Sequence, residues 1–199
     1  MTSADEIEFT EKFCRRAFDN LPLLLRSRRI GCFFCGYVFL YDGTEETKPM
    51  SLDGNCGMCP ACGNFSLCGD AAGKFTQSEL LDCRAYLQRF RAVPPETLPP
   101  AVRLYLACSA NTGRLRQCAA ACCLACGATF VLDPVMFYAA DGEPVRDDAA
   151  FLCPLCLAPS VVPEEKAAFF RQCCQKIGIF RHIPGDGPNR KECDHGEIT

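Results

Sequence analysis

Histidine is scarce in this 199-residue chain: His182 and His195 are the only two, and both fall in the C-terminal segment. A thiol–imidazole dyad would have to recruit that segment, which turns Gly- and Pro-rich after Gly178 (Pro184, Gly185, Gly187, Pro188) and reads as a loosely attached tail. No run of about 18 apolar residues occurs, so a helical membrane span is excluded. Met1 to Lys12 carries Asp5, Glu6, Glu8 and Glu11 instead of a basic patch and an apolar core, so no secretory signal is visible and a cytoplasmic protein is expected. There is no Gly-x4-Gly-Lys phosphate loop. Positive charge is also in short supply: the net charge is −3 and the pI about 5.5, which removes any general attraction to a polyanion. Only residues 61–120 are net basic, with seven basic against four acidic groups.

What the chain has in excess is cysteine, 18 residues in all. In a reducing compartment that enrichment points to metal binding or thiol chemistry rather than to a disulfide framework. The 49% hydrophobic content is that of a chain that buries a core.

The cysteines fall into a repeat. Cys32-Phe33-Phe34-Cys35-Gly36 returns 91 residues later as Cys123-Leu124-Ala125-Cys126-Gly127, and Cys59-Pro60-Ala61-Cys62 returns 94 residues later as Cys153-Pro154-Leu155-Cys156. Helical patterns flank each copy. Phe9, Phe13, Ala17 and Leu21 form one stripe before the first, and Thr76 to Glu79 has capping-box form ahead of Leu80, Cys83, Leu87 and Phe90. In the second copy Pro99 and Pro100 open a helix with Val102, Tyr105 and Leu106, and a closing helix starts near Pro163 with Phe170, Cys173 or Cys174, and Ile177 inward. Val93 to Pro100 holds four prolines and reads as a stiff connector. The expected organisation is therefore residues 1–92 and 93–180, each a helix, a cysteine ribbon and a helix, followed by a 181–199 tail.

Two Cys-x2-Cys pairs supply the four thiolates of a closed tetrahedral site. The ligands are expected to be Cys32, Cys35, Cys59 and Cys62 in one unit and Cys123, Cys126, Cys153 and Cys156 in the other, holding two Zn2+ per chain. Iron in a rubredoxin-like site is the alternative, since four-sulfur tetrahedra accept either metal. Cys56 and Cys122 offer substitutes for Cys59 and Cys123, though the repeat favours the latter two. Leu157 replaces the glycine that follows the other three pairs, so the fourth knuckle is expected to be distorted. At the repeat offsets Tyr105 faces Cys14, Ala150 faces Cys56, Val162 faces Cys68 and Ser27 faces Cys118, so the ten other cysteines read as core packing. Cys193 and His195 sit in the tail, which reads as solvated.

No catalytic constellation emerges, because four cysteines per site leave no coordination position for water. The acidic group Asp141, Glu143, Asp147 and Asp148 reads as a solvated loop or as a contact surface for a basic partner. For nucleic acid, Arg26, Arg28 and Arg29 precede the first knuckle, where Phe33 and Phe34 could stack on bases; the competing reading is that knuckle aromatics pack on the hairpin and cations serve helix C-termini.

The stretch from Cys32 to Phe39, then Cys59-Pro60-Ala61-Cys62-Gly63-Asn64-Phe65-Ser66, then Gly69-Asp70 and a helix start at Phe75 to Leu81, resembles a family of small bacterial cytoplasmic proteins with one zinc ribbon. The resemblance covers about residues 30–90 and only the cysteine frame beyond 120. It implies a soluble bacterial protein and no established activity. The expectation is an α+β fold of two tandem four-cysteine zinc ribbons, each a short antiparallel hairpin flanked by helices. Its expected function is non-enzymatic protein binding, as in an immunity or antitoxin-like protein that occludes a basic toxin domain. A nucleic-acid-binding regulatory ribbon is the alternative, and a redox iron protein the third reading.

Overall fold

The computed structural model of the chain describes residues 3–139 and 141–179. The 181–199 segment, with Cys193 and both histidines, lies outside the described residues. The first half contains α1 (Ala4–Arg15), α2 (Leu21–Leu24), β1 (Arg29–Cys32), β2 (Val38–Leu40), β3 (Leu67–Gly69) and α3 (Gln77–Phe90). The second contains α4 (Pro100–Cys108), α5 (Thr112–Leu115), β4 (Ala120–Cys123), β5 (Thr129–Val131), β6 (Val161–Pro163) and α6 (Ala167–Ile177). The fold is α+β, and the order of elements repeats.

Each half carries a small antiparallel sheet of three strands, in the orders β2-β1-β3 and β5-β4-β6. Sequence reasoning supplied only a hairpin; the extra strand has a physical cause. Ile30, Gly31 and Cys32 of the central strand are buried, so backbone groups on both of its edges need partners. Register repeats too: Gly31 faces Val38 and Cys68, while Cys122 faces Thr129 and Val162.

The helices follow from their caps. Ser3 and Glu6 form a capping box at α1, and Thr76 and Glu79 form the expected one at α3, whose Leu80, Cys83, Leu87 and Phe90 are all buried. The stripe from Phe9 to Leu21 is not one helix, however. α1 ends at Arg15, the chain passes through Asp19 at φ 48° and restarts as α2. Pro22 explains the break, since inside a continuing helix it would lose a hydrogen bond and clash with the preceding turn. α4 opens at Pro100 and buries Val102 and Tyr105, but Leu104 and Cys108 take the inner positions and Leu106 is half-buried. α6 buries Phe170, Cys173 and Cys174 and ends on Gly178 in the left-handed conformation (φ 74°).

Between the sheets the helices form one layer in which α1 packs on α3 and on α4, and α4 packs on α6. A single hydrophobic cluster therefore draws on both halves. At its centre Tyr105 of the second half lies 5.1 Å from the Phe33 ring and 5.7 Å from the Phe65 ring of the first. Its buried hydroxyl meets Ser66 Oγ at 2.6 Å. Burying a ring of that size stabilises the fold by about 2–3 kcal/mol, and the hydrogen bond removes the cost of burying its polar end.

Candidate metal centres

Four tight turns deliver the cysteines. In the first, Gly36 N–H donates to the Cys32 carbonyl (2.8 Å) and Cys32 N–H to the Tyr37 carbonyl (2.8 Å). The same pair of bonds closes the turns at Cys59 (2.8 and 2.8 Å), Cys123 (3.0 and 2.8 Å) and Cys153 (2.9 and 3.0 Å). The closing residue is left-handed each time: Gly36 at φ 78°, Gly63 at 68°, Gly127 at 78° and Leu157 at 60°. The fourth knuckle is thus not distorted, contrary to the expectation from its missing glycine. Leu157 adopts the same turn at a backbone cost of about 1–2 kcal/mol.

A second device, absent from the sequence reading, ties each later knuckle to its unit. Asn20, fully buried, donates from Nδ2 to the carbonyls of Leu67 (2.8 Å) and Arg16 (2.9 Å) and accepts from Gly57 N–H (2.8 Å). Asn111 does the same, donating to the Val161 carbonyl (2.7 Å) and accepting from Phe151 N–H (2.9 Å). Each amide bridges the two strands of chain that flank a Cys-Pro-x-Cys turn. The preceding residue, Asp19 or Ala110, is left-handed at φ 48° or 49°, which aims the amide inward. The signal was present, for Asn20 and Asn111 are separated by the knuckles' own 91 residues.

These turns bring together all eight predicted ligands in two groups, Cys32, Cys35, Cys59 and Cys62 in one and Cys123, Cys126, Cys153 and Cys156 in the other, with every Sγ within 4.8 Å of its three neighbours. Cys32 and Cys62 sulfurs are 3.8 Å apart, Cys35 and Cys59 3.7 Å, Cys123 and Cys156 3.6 Å, and Cys126 and Cys153 3.8 Å. With metal–sulfur bonds of about 2.3 Å, a regular tetrahedron has edges of about 3.8 Å. The spacing therefore fits a metal ion at each centre and is far from the S–S bond of about 2.05 Å. Cys32, Cys59, Cys123 and Cys153 are fully buried, while the later cysteine of each turn is partly or largely exposed.

Electrostatics point the same way. Hydrogen bonds from Cys32 and Cys62 hold the Cys59 thiol down to about 2, while those contacts and burial push Cys32 well above the ordinary thiol range. Burial likewise raises Cys123, and raises Cys156 to about 11. One sulfur in such a cluster ionises at its neighbours' expense, so four thiolates require a cation among them. Two four-cysteine groups compatible with Zn2+ are what the geometry supplies.

The alternatives raised by spacing resolve by position. Cys56 stands outside the tetrad, buried, with its N–H donating to Asp53 Oδ1 (2.8 Å). Cys122 lies one residue along β4 from Cys123 and so on the opposite face, where Arg171 donates to its Sγ at 3.4 Å. Of the other non-ligand cysteines, Cys14, Cys68, Cys83, Cys108, Cys173 and Cys174 are buried as expected, and Cys118 is partly exposed. Comparison with protein-family models, with curated proteins and with solved structures finds no match.

Two surface alternatives narrow. Phe33 is fully buried beside Phe13 and Tyr105, so it has no face left for a base, and Arg29 donates to the Phe75 carbonyl (2.9 Å). The acidic loop is partly neutralised, because Asp148 pairs with Arg146 (2.6 Å) and Asp147 with Arg116 (3.4 Å). Among the described residues no helix is long and apolar enough to cross a membrane.

Proposed function

We propose that this chain is a non-enzymatic scaffold holding two Zn2+ ions, whose second ribbon docks on a protein partner. In its most concrete form it is a cytoplasmic immunity or antitoxin-like protein that occludes a toxin. Zinc would be held by Cys32, Cys35, Cys59 and Cys62 and by Cys123, Cys126, Cys153 and Cys156, and its chemistry there is structural, since four sulfurs fill the coordination sphere.

The observation that carries the docking reading is Leu157. It is 44% exposed and left-handed, where a glycine such as Gly63 costs nothing, and Leu155 two residues earlier is 71% exposed. Strain without compensating burial is a mark of a side chain kept for contact. The matching knuckle of the first unit carries Ala61 and Gly63 at the equivalent positions. Two leucines on a rigid tip suit a partner with an apolar cleft, and anchors of that kind set the dissociation rate. The burial of Phe33 weighs against the nucleic-acid alternative.

The test is capture from the native host on immobilised full-length protein, comparing wild type with Leu155→Ser and Leu157→Gly. Leu157→Gly relieves strain, so lost capture cannot be blamed on unfolding. One protein retained at physiological salt by wild type and lost in both variants is the expected result. Equal capture by all three refutes the docking tip. Sub-micromolar binding to random DNA at that salt, abolished when Arg26, Arg28 and Arg29 become Gln, would install the nucleic-acid reading instead.

A further inference from the structure

Where the proline-rich connector crosses from α3 to α4, a cavity of about 290 Å³ opens between the two halves. Its base is apolar, with Phe90, Leu98 and Phe170 all buried. Its charged lining is Arg91, Arg103 and Arg114, and among the described residues no carboxylate lines it. The three cations are not equivalent. Arg103 is committed to the fold, donating to the carbonyls of Leu98 and Glu96 and lying 5.5 Å from the Phe169 ring. Arg114 uses one N–H on the Ala107 carbonyl (2.9 Å). Arg91 makes no ion pair among the described residues.

The dipole of α3 accounts for a cation at its C-cap, Arg91. It does not account for a second guanidinium facing the same apolar space. Arg91 is exposed as a residue, but partial burial of its guanidinium and the like charge of Arg114 both weigh against its cation. Arg91 also lines a neighbouring cavity with Asp147 and Asp148, but those carboxylates are paired with Arg116 and Arg146. Among the described residues neither guanidinium therefore has a counter-charge of its own, and a guanidinium's planar fork matches a carboxylate. The volume is at the small end of ligand sites, which favours a compact molecule.

We propose that this cavity binds a small organic acid, its carboxylate on Arg91 and Arg114 and its short apolar body against Phe90, Leu98 and Phe170. The site is independent of the zinc knuckles and of the docking tip, so it stands or falls separately from them.

Titration calorimetry on the zinc-loaded full chain tests it with three probes: octanoate, octanol and acetate. Octanoate is expected to bind with measurable heat, while octanol, lacking charge, and acetate, lacking the apolar body, give none at the same concentration. Arg91→Gln removes a guanidinium that makes no hydrogen bond or ion pair among the described residues and should weaken octanoate at least tenfold. Arg114→Gln should do likewise, and if it fails to fold, Arg91→Gln decides alone. Octanol matching octanoate, unchanged affinity in Arg91→Gln, or no octanoate binding at millimolar concentration would each overturn the proposal.

Discussion

Replacing Asn20 with alanine should cost more stability than removing any non-ligand thiol. The substitution strands the Gly57 N–H and the Leu67 carbonyl, both buried, and frees the Arg16 carbonyl. Each stranded buried group costs about 1–3 kcal/mol, so two give roughly 4 kcal/mol, with about 1 kcal/mol more for the third contact. Asn111→Ala strands only two groups, Phe151 N–H and the Val161 carbonyl, and should cost about 1 kcal/mol less than Asn20→Ala. Asn20→Asp keeps the shape but sets a carboxylate oxygen against the Leu67 carbonyl, so it should be the worst of the three. Urea unfolding of the zinc-loaded protein by circular dichroism reads these costs as shifts in midpoint at constant slope. Against a total stability of about 5–15 kcal/mol for a domain, a loss of this size is easy to resolve. Zinc release to a chelator should quicken in parallel, because each amide fixes the chain on both sides of a Cys-Pro-x-Cys turn. Losses below about 1 kcal/mol for both alanine variants, against the magnitude above, would show that the bridges are incidental.

Elemental analysis should give two zinc ions per colourless chain, with one lost in Cys35→Ser and one in Cys126→Ser; a red protein with iron–thiolate absorption would assign the other metal. Because protons compete for the same sulfurs, zinc should leave as pH falls, and full retention in strong acid would contradict thiolate ligation. The knuckle turns give a mirrored pair: Leu157→Gly should stabilise by about 1 kcal/mol and Gly63→Leu destabilise by a similar amount, so thermal shifts of the same sign would refute the strain argument. Alkylation mapped by mass spectrometry should mark Cys118 first among the described non-ligand thiols and reach Cys14, Cys83 and Cys108 only on unfolding; early labelling of those three would contradict their burial.

The ligand sets were legible because a duplicated pattern carries its own control. Cys59 and Cys123 recur at fixed offsets and Cys56 does not. α3 was legible because its capping box and apolar spacing lie within fifteen residues of sequence. What stayed hidden depends on distant partners. Asn20 reads as an ordinary turn residue until residues 57 and 67 are folded beside it. β3 is too short for a periodicity, and it forms because β1 has a second edge to satisfy. Phe33 resembled a surface aromatic of a knuckle, yet the helices that bury it come from both halves of the chain, which no local window contains. The non-ligand thiols read correctly as packing residues, but one kinship among them was hidden: the offsets of 91 and 94 hold for the ribbons, while Cys83 and Cys173 occupy matching inner positions of α3 and α6 at a separation of 90.

The packing of α1 on α4 brings equivalent elements of the repeat into contact, which is the arrangement a two-fold axis produces between identical subunits. The chain is therefore comparable to a dimer in which a short linker of prolines replaces free diffusion. Joined this way, the halves meet at an effective concentration set by the linker and not by expression level, so the assembly cannot be diluted apart. A true homodimer must also present every surface feature twice. Covalent joining removes that obligation, and the two tips have diverged accordingly, one ending in Ala61 and Gly63 and the other in Leu155 and Leu157.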